Sequence, residues 1–283
     1  MDKAPVRVSI RDVSYSYPEG MPALSGVSLD VHEGEFIGIL GANGSGKTTL
    51  LKLADGIIKN YSGSVLLDGS DVRKLSPRDI YRKMGLVFQN PDDQLFAPTV
   101  FEDVAFGPLN MGCSGPDVEG RVMKALEAVG MGECVRRNIN HLSYGQKKRV
   151  SIAGLLAMGH EILLMDEPTA GLDPMGEYRM MELLTRLNRQ RNVTIVMATN
   201  SVELVPLFLH RLYILSKGVL KRGGRPEEVF TAPGEMADVK LRLPQIAELI
   251  WKLKNEDGVP FEKVPLTVGE ARRLLLGMLR ETG

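Results

Sequence analysis

The beginning of the chain alternates apolar and polar residues. Every second residue is apolar over positions 6–10, and the same alternation returns over 27–31. Side chains with a period of two lie on one face of a strand, so this pattern predicts half-buried strands. We therefore expect an antiparallel β layer near the N-terminus.

Largely apolar runs form a second set of predicted strands. They cover residues 35–40, 84–89, 162–167 and 193–198. Runs of this kind are typical of strands that are covered on both faces in a parallel sheet. Residues 212–220 add a predicted hairpin after the last of them.

Helical patterns fill the interval between the second and third of these runs. Thr99 and Glu102 form a capping box that predicts the start of a helix. From Asp117 an amphipathic pattern predicts a longer helix that ends at Gly130. We expect residues from about 91 to 160 to form a helical subdomain inserted between two strand-rich regions.

The C-terminal part of the chain has a helical pattern of its own. Apolar residues recur at helical spacing over 246–253 and again over 268–278. About forty-five residues cannot bury much core alone, so we expect this segment to pack on the main domain or on another subunit. The sequence thus predicts a main domain over 5–234 and a C-terminal extension over 235–283.

Length and composition narrow the class of protein. The 283 residues suit one large domain with a small appendage, and 35 basic and 35 acidic residues leave no basic surface that would indicate nucleic acid binding. Cys113 and Cys134 have no histidine at metal-ligand spacing and are interpreted as free thiols of a reducing compartment. No run approaches the ~20 apolar residues that cross a bilayer, and the N-terminus lacks the features of a signal peptide. We expect a cytoplasmic chain that is able to dock on a membrane protein.

Residues 41–48 match the pattern G-x-x-x-x-G-K-[ST], which is typical of a phosphate-binding loop. It follows the predicted strand over 35–40 and precedes a helical spacing that ends near Gly56. In such a loop the backbone N–H groups and the positive helix end hold phosphates, Lys47 reaches the β- and γ-oxygens, and Thr48 ligates Mg²⁺. The candidate nucleotide-binding residues here are Gly41, Asn43, Gly44, Ser45, Gly46, Lys47, Thr48 and Thr49.

Two adjacent carboxylates end the predicted strand over 162–167. Burying charged groups next to an apolar strand costs free energy, so two carboxylates at this point indicate a function. The alternative interpretation is a solvated turn. Because an acid at this position holds Mg²⁺ in phosphate-loop proteins, we assign Asp166 to the metal, directly or through water. We assign Glu167 to orienting or deprotonating the attacking water.

Four further polar residues lie near these motifs, and several of them allow more than one role. Ser143 and Gln146 fit a capping box, but a helix N-terminus with Ser and Gly145 is also an anion site, and both roles are compatible. Gln89 stands where a strand leaves the predicted sheet. Tyr17 lies in a turn upstream of the loop, and its ring could stack on adenine, although spacing alone favours a packing role.

The order of these motifs resembles that of the ATP-binding subunits of ABC transporters. The motifs are the phosphate loop, Gln89, LSYGQ at 142–146, Asp166-Glu167 and Leu172-Asp173. The resemblance implies an α/β P-loop NTPase fold with a mixed core sheet, an N-terminal antiparallel β layer, an inserted helical subdomain and a small C-terminal helical extension. The signature of this family usually reads Leu-Ser-Gly-Gly-Gln, and Tyr144 occupies its third place.

Three stretches resemble one branch of this family, the energy-coupling-factor and cobalt/nickel importers. They are QNPDDQLF at 89–96, LSYGQKKRV at 142–150 and LPQ at 243–245. In that branch the ATPase lies on the cytoplasmic face of the cell membrane as a peripheral subunit. It works with a transmembrane coupling subunit and a substrate-binding membrane subunit, and the cargo is cobalt, nickel or a vitamin.

The resemblance also implies a head-to-tail dimer that encloses two ATP molecules with Mg²⁺, either as a homodimer or with a related ATPase. Each site pairs one phosphate loop with Ser143, Gly145 and Gln146 of the other subunit. Tyr17 stacks on adenine, and Asp173 communicates across the dimer. Gln89 contacts the metal and the γ-phosphate and faces the transmembrane subunit. The C-terminal extension contributes to dimerisation.

One position departs from the family pattern. Family members usually carry histidine where this chain has Asn200, and that histidine contacts the γ-phosphate and helps to hold the attacking water. Asparagine donates a hydrogen bond but cannot carry the positive charge of imidazole. His210 lies in an apolar stretch and is a poor substitute. We expect ATP binding to survive while turnover slows by roughly 10²–10³. The alternative is a regulatory subunit that binds ATP with impaired hydrolysis.

Overall fold

The computed structural model describes residues 4–281. Its strands are β1 (Val6–Ser16), β2 (Pro22–His32), β3 (Phe36–Leu40), β4 (Ser62–Leu67), β5 (Ser70–Asp71), β6 (Met84–Val87), β7 (Ile162–Asp166), β8 (Thr194–Thr199), β9 (Arg211–Ser216) and β10 (Val219–Gly224). Its helices are α1 (Lys47–Ala54), α2 (Pro77–Tyr81), α3 (Val100–Asn110), α4 (Gly115–Ala128), α5 (Tyr144–Met158), α6 (Pro174–Arg191), α7 (Val205–Phe208), α8 (Pro226–Val229), α9 (Pro233–Asp238), α10 (Gln245–Asn255) and α11 (Val268–Glu281).

The N-terminal strands form an antiparallel sheet in the order β2-β1-β4-β5. Val8 lies opposite Val31 and Ile10 opposite Leu29, so the two alternating patterns pair with one another. All four of these side chains are buried. The predicted antiparallel β layer is confirmed.

The apolar runs form the core sheet, whose order is β10-β9-β3-β8-β7-β6. Strands β9, β3, β8, β7 and β6 are parallel neighbours, and only the hairpin partner β10 is antiparallel in this sheet of the described chain. The mixed core sheet is therefore confirmed. Because the carboxyl ends of parallel strands share one edge, the residues that follow β3, β6, β7 and β8 meet there.

A hydrophobic core lies on each face of this sheet. Ile37 and Ile39 belong to the core shared with the antiparallel sheet and α1, whereas Phe36 and Leu40 belong to the core shared with α3, α4, α5 and α6. This division follows from the alternation of side chains along β3. The rigid sheet between two cores fixes the positions of the loops at its edge.

The helices α3, α4 and α5 lie between β6 and β7 in the sequence, within the predicted range of 91–160. The predicted capping boxes at Thr99 with Glu102 and at Ser143 with Gln146 are both present. The division of the chain into domains stays a prediction, but the helical content of this block is as expected.

The C-terminal helices pack on the main body of the protein. Ala247 and Ile250 of α10 are buried, and Ala247 joins the same core as α6. The carboxylate of Glu203 accepts a hydrogen bond from the backbone N–H of Gln245 at 3.2 Å. No helix within residues 4–281 has the length and apolarity required to cross a membrane.

Candidate nucleotide-binding site

A cleft of about 630 Å³ opens at the carboxyl edge of the core sheet. It brings together residues that the sequence placed on separate motifs up to 183 positions apart, from Tyr17 to Asn200. The predicted residues that line it are Tyr17, Asn43, Gly44, Ser45, Gly46, Lys47, Thr48, Thr49, Gln89, Asp166, Glu167 and Asn200. Gly41 lies at the base of the same loop, where its carbonyl accepts from Lys47.

The phosphate loop requires its glycines because its backbone is tightly packed. Gly46 precedes α1 with a φ of 105°, and a Cβ there would lie 2.6 Å from the carbonyl oxygen of Ala23. The helix that follows has no acidic residue in its first turn. Its N-terminal N–H groups and positive end are therefore available to an anion such as a phosphate.

The ammonium group of Lys47 is folded back onto the loop. Its Nζ donates to the carbonyl oxygen of Gly41 at 2.7 Å and lies 3.4 Å from Oε1 of Glu167. Both side chains are largely buried. Burial raises the pKa of the Glu167 carboxyl, and the charge of Lys47 partly offsets that rise.

Thr48 and Asp166 converge at the predicted metal position. The Thr48 hydroxyl donates to Oδ2 of Asp166 at 2.7 Å. The other carboxylate oxygen, Oδ1, is buried and has no hydrogen-bond partner in the described part of the chain. A hydroxyl and a carboxylate oxygen that lacks a partner fit Mg²⁺, which binds through one or two carboxylates together with phosphates and water. Gln89 lines the same cleft.

Asn200 lies between the phosphate loop and Glu167. Its backbone N–H donates to Oε2 of Glu167 at 3.3 Å, and its Nδ2 donates to Oδ1 of Asn43 at 3.3 Å. His210 is placed elsewhere, since its Nδ1 accepts from the backbone N–H of Phe36, the first residue of β3. As the sequence predicted, His210 is not positioned to replace a side chain at Asn200.

Tyr17 forms one wall of the cleft. Its hydroxyl lies 2.9 Å from Oγ1 of Thr49, and its ring packs edge-on against Tyr15 with 5.1 Å between centroids. Met21 and Pro22 extend the same apolar wall, which the sequence analysis missed. The position suits an aromatic ring that stacks on a base, and the packing interpretation holds as well, because Tyr17 contacts Tyr15.

The residues of the signature motif do not reach this cleft within the described chain. Ser143 and Gln146 bond reciprocally as a capping box at the start of α5, and Asp173 caps α6 by accepting from the N–H of Gly176 at 2.6 Å. Gly145 lies beside Leu172. Ser143, Gly145, Gln146 and Asp173 are therefore not among the residues that line the chain's own cleft.

Sequence analysis missed Lys148. This side chain on α5 is only 2% exposed, and its Nζ donates to the backbone carbonyl of Glu167 at 2.9 Å. Burial lowers the pKa of the Lys148 ammonium to about 8, although the negative charges of Glu167 and Asp166 raise it in part. Lys148 lies four residues before the buried Ile152 and therefore on the apolar face of α5. A lysine at this spacing within an apolar face is the sequence signal that indicates its burial.

Comparison with known proteins agrees with these motifs. A family model described as ABC transporter matches residues 24–170. A protein of Geobacter sulfurreducens that is described as an ABC transporter ATP-binding protein is 70% identical to this chain. The match covers 98% of this chain and 99% of the relative. The energy-coupling factor transporter ATP-binding protein EcfA of Methanococcus maripaludis is 48% identical, over 93% of this chain and 94% of its own.

A solved structure shares the fold. It is cbiO1 from Clostridium perfringens, which is described as part of the ABC transporter complex cbiONQ. The TM-score is 0.77 at 37% identity, and the match covers 87% of this chain and 99% of the other. The likeness therefore extends beyond the motifs to the fold of most of the chain.

Proposed function

The chain belongs to the ABC transporter family and resembles the ATP-binding subunits EcfA and cbiO1. We propose that it hydrolyses ATP to drive the import of a micronutrient through a membrane transporter of the energy-coupling-factor type. The observation that carries the proposal is the convergence of Lys47, Thr48, Asp166 and Glu167 in one cleft. These groups together supply phosphate binding, metal binding and a base.

Phosphate binding releases the base in this proposal. Lys47 turns from the carboxylate of Glu167, 3.4 Å away, towards the β- and γ-phosphate oxygens of ATP. Thr48 and Asp166 would hold Mg²⁺ together with Gln89, which lines the same cleft, and the ion would neutralise phosphate charge. Glu167 then loses its ammonium partner and is free to accept a proton.

Hydrolysis follows from the position of Glu167. The oxygen of a water molecule forms a bond to the γ-phosphorus, the bond from that phosphorus to the bridging oxygen of ADP breaks, and the water proton passes to Glu167. Its pKa, which burial raises, makes the carboxylate a better proton acceptor near neutral pH. Asn200 donates a hydrogen bond near the same water but supplies no positive charge, and this favours a slow enzyme.

The second half of each site comes from another subunit, either a second copy or a related ATPase. The N-terminus of α5, with Ser143, Gly145 and Gln146, does not line the chain's own cleft. This supports a role in closing over the ATP of a partner subunit. Asp173 lies beside this surface at the start of α6. Apolar side chains on the C-terminal helices, Leu249 at 52% and Val268 at 69% exposure, support a role of the extension in dimerisation.

A groove of about 690 Å³ between α2 and α3 is the proposed docking site of the transmembrane coupling subunit. Tyr81, Phe106 and Met158 line it. Phe96, which follows Gln89 in the same loop, packs edge-on against Phe106 with 4.7 Å between ring centroids. A helix of the membrane subunit seated here contacts the loop of Gln89, and the ATPase becomes a peripheral protein of the cytoplasmic face. A separate membrane subunit selects cobalt, nickel or a vitamin as cargo.

Co-purification with the transmembrane subunit tests this function. Phe106→Asp places a charge in the groove and is expected to abolish co-purification and transport while leaving ATP binding unchanged. Leu207→Asp is the matched control, because Leu207 is exposed to a similar degree outside the groove. If Phe106→Asp retains full transport in proteoliposomes, the groove is not the docking site.

The alternative function is a regulatory subunit of the same kind of complex. Asn200 is the observation that favours it, because the side chain beside Glu167 cannot carry charge. Purified protein that binds Mg-ATP but releases no phosphate with its membrane partner present would support this alternative. Steady phosphate release under the same conditions would exclude it.

A further inference from the structure

The backbone of Glu167 adopts an unusual conformation. Its φ is 48°, in the left-handed region that L-residues rarely occupy. Such a conformation persists only where surrounding contacts hold it. The N–H of Glu167 donates to the carbonyl of Ala198 at 2.9 Å, and its own carbonyl accepts from the N–H of Ala170 at 3.1 Å.

A third contact on this backbone comes from a distant helix. The Nζ of Lys148 donates to the carbonyl oxygen of Glu167 at 2.9 Å. A buried ammonium is costly unless it is compensated, and here the compensation is directed at one carbonyl, with the ring of Tyr144 5.2 Å from the Nζ atom. The hydrogen bond therefore joins α5 to the residue after β7.

We propose that Lys148 is a positioning residue for Glu167. By holding the Glu167 carbonyl, it fixes the left-handed backbone that directs the carboxylate towards Lys47 and the cleft. Lys148 does not touch the nucleotide, since it lies outside the residues that line the cleft. This inference rests on the proposed ATPase function.

Lys148 also lies between the chain's own cleft and the N-terminus of α5, which in the proposed dimer serves the other ATP site. Lys148 lies about one and a half turns beyond Ser143, the N-cap of the same helix. In the first turn of α5 the Tyr144 hydroxyl donates to the carbonyl of Gln89 at 3.3 Å. The first turns of α5 are thereby joined to the backbone of Glu167 through Lys148 and to the backbone of Gln89 through Tyr144.

Steady-state kinetics of Lys148→Met and Lys148→Arg test the proposal. Methionine keeps the apolar stem and removes the donor, so kcat is expected to fall by about 10–10², because small displacements of a reacting group carry losses of this order. KM for Mg-ATP is expected to change less than about threefold, since binding groups are untouched. Arginine restores a donor and is expected to recover most of kcat.

Lys147→Met is the matched control, because Lys147 is the neighbouring lysine on α5 and pairs with Asp92 instead. It is expected to keep the wild-type kcat. A Lys148→Met enzyme with wild-type kcat overturns the proposal. A parallel loss of Mg-ATP affinity also overturns it, because that result assigns Lys148 to binding or to the fold.

A crystal structure of Lys148→Met gives a readout that does not depend on turnover. The φ of Glu167 is expected to leave its value near 48°, whereas an unchanged φ overturns the proposal. Lys148→Leu serves both measurements if the methionine variant fails to fold, because leucine also lacks a hydrogen-bond donor. Wild-type protein without ATPase activity refutes the proposed function, and the crystallographic result still decides the role of Lys148.

Discussion

Asp55 is a buried carboxyl group at the C-terminal end of α1, the helix that begins at the phosphate loop. It follows the last residue of α1, its side chain is 6% exposed, and its Oδ1 has no hydrogen-bond partner in the part of the chain that the structure describes. Burial raises its pKa from 3.8 to about 7. The negative C-terminal end of the helix opposes the ionised form as well. We therefore expect ionisation of Asp55 to destabilise the fold.

The magnitude follows from the two pKa values. Below about pH 4 the Asp55 carboxyl is protonated in both the folded and the unfolded state, so the free energy of unfolding has its full value. As the pH rises from about 4 to about 7 the unfolded state ionises and the folded state does not, so stability is lost until the folded group ionises. Each pKa unit corresponds to 1.36 kcal/mol, so a pKa difference of about 3 lowers the free energy of unfolding by at most about 4 kcal/mol.

Urea unfolding of Asp55→Asn and wild type, followed by circular dichroism at pH 5 and pH 8, measures this effect. Asparagine cannot ionise, so the free energy of unfolding of the variant relative to wild type is expected to rise by about 2–3 kcal/mol between the two pH values. Asp257→Asn, at an exposed position, is the control and is expected to show no such rise. A difference between Asp55→Asn and wild type that is the same at both pH values would refute the reasoning.

Three further predictions concern the nucleotide site. Glu167→Gln is expected to bind Mg-ATP as wild type does, to release no phosphate and to accumulate as a closed dimer; turnover at the wild-type rate contradicts the assignment of Glu167. Asn200→His is expected to raise kcat by up to roughly 10²–10³, and equal rates of phosphate release remove the explanation based on charge. Tyr17→Ala is expected to weaken Mg-ATP binding by about 1–3 kcal/mol in calorimetry, whereas unchanged affinity assigns the ring to packing alone.

Much of the fold follows from local sequence. The alternating residues of β1 and β2 and the apolar runs of β3, β7 and β8 show their environments directly, because a strand displays its burial pattern at a period of two or as an unbroken run. The phosphate loop is equally plain, since its glycines and Lys47 lie within eight positions. Capping boxes at Ser143 and Thr99 are also local and could be predicted for that reason.

The rest depends on contacts between distant segments. The pairing of Lys47 with Glu167 and the hydrogen bond from Lys148 to Glu167 join elements that only the folded sheet brings together. Asp55 looks like an ordinary helix-terminal aspartate in the sequence, and its burial arises from packing around α1. Tyr17 shows the same difficulty, because its spacing favours packing and only the fold places its ring at the cleft.

In the proposed dimer, each ATP site combines the phosphate loop of one subunit with the N-terminus of α5 of the other. A dimer of Lys47→Ala with Ser143→Arg, purified through two different tags, tests this arrangement by ATPase assay. Such a dimer contains one site with both Lys47 and Ser143 intact, whereas each homodimer contains none. We expect the mixed dimer to release phosphate at no more than half the wild-type rate and either homodimer to release none. A mixed dimer as inactive as the two homodimers, or full activity of Ser143→Arg alone, would contradict it.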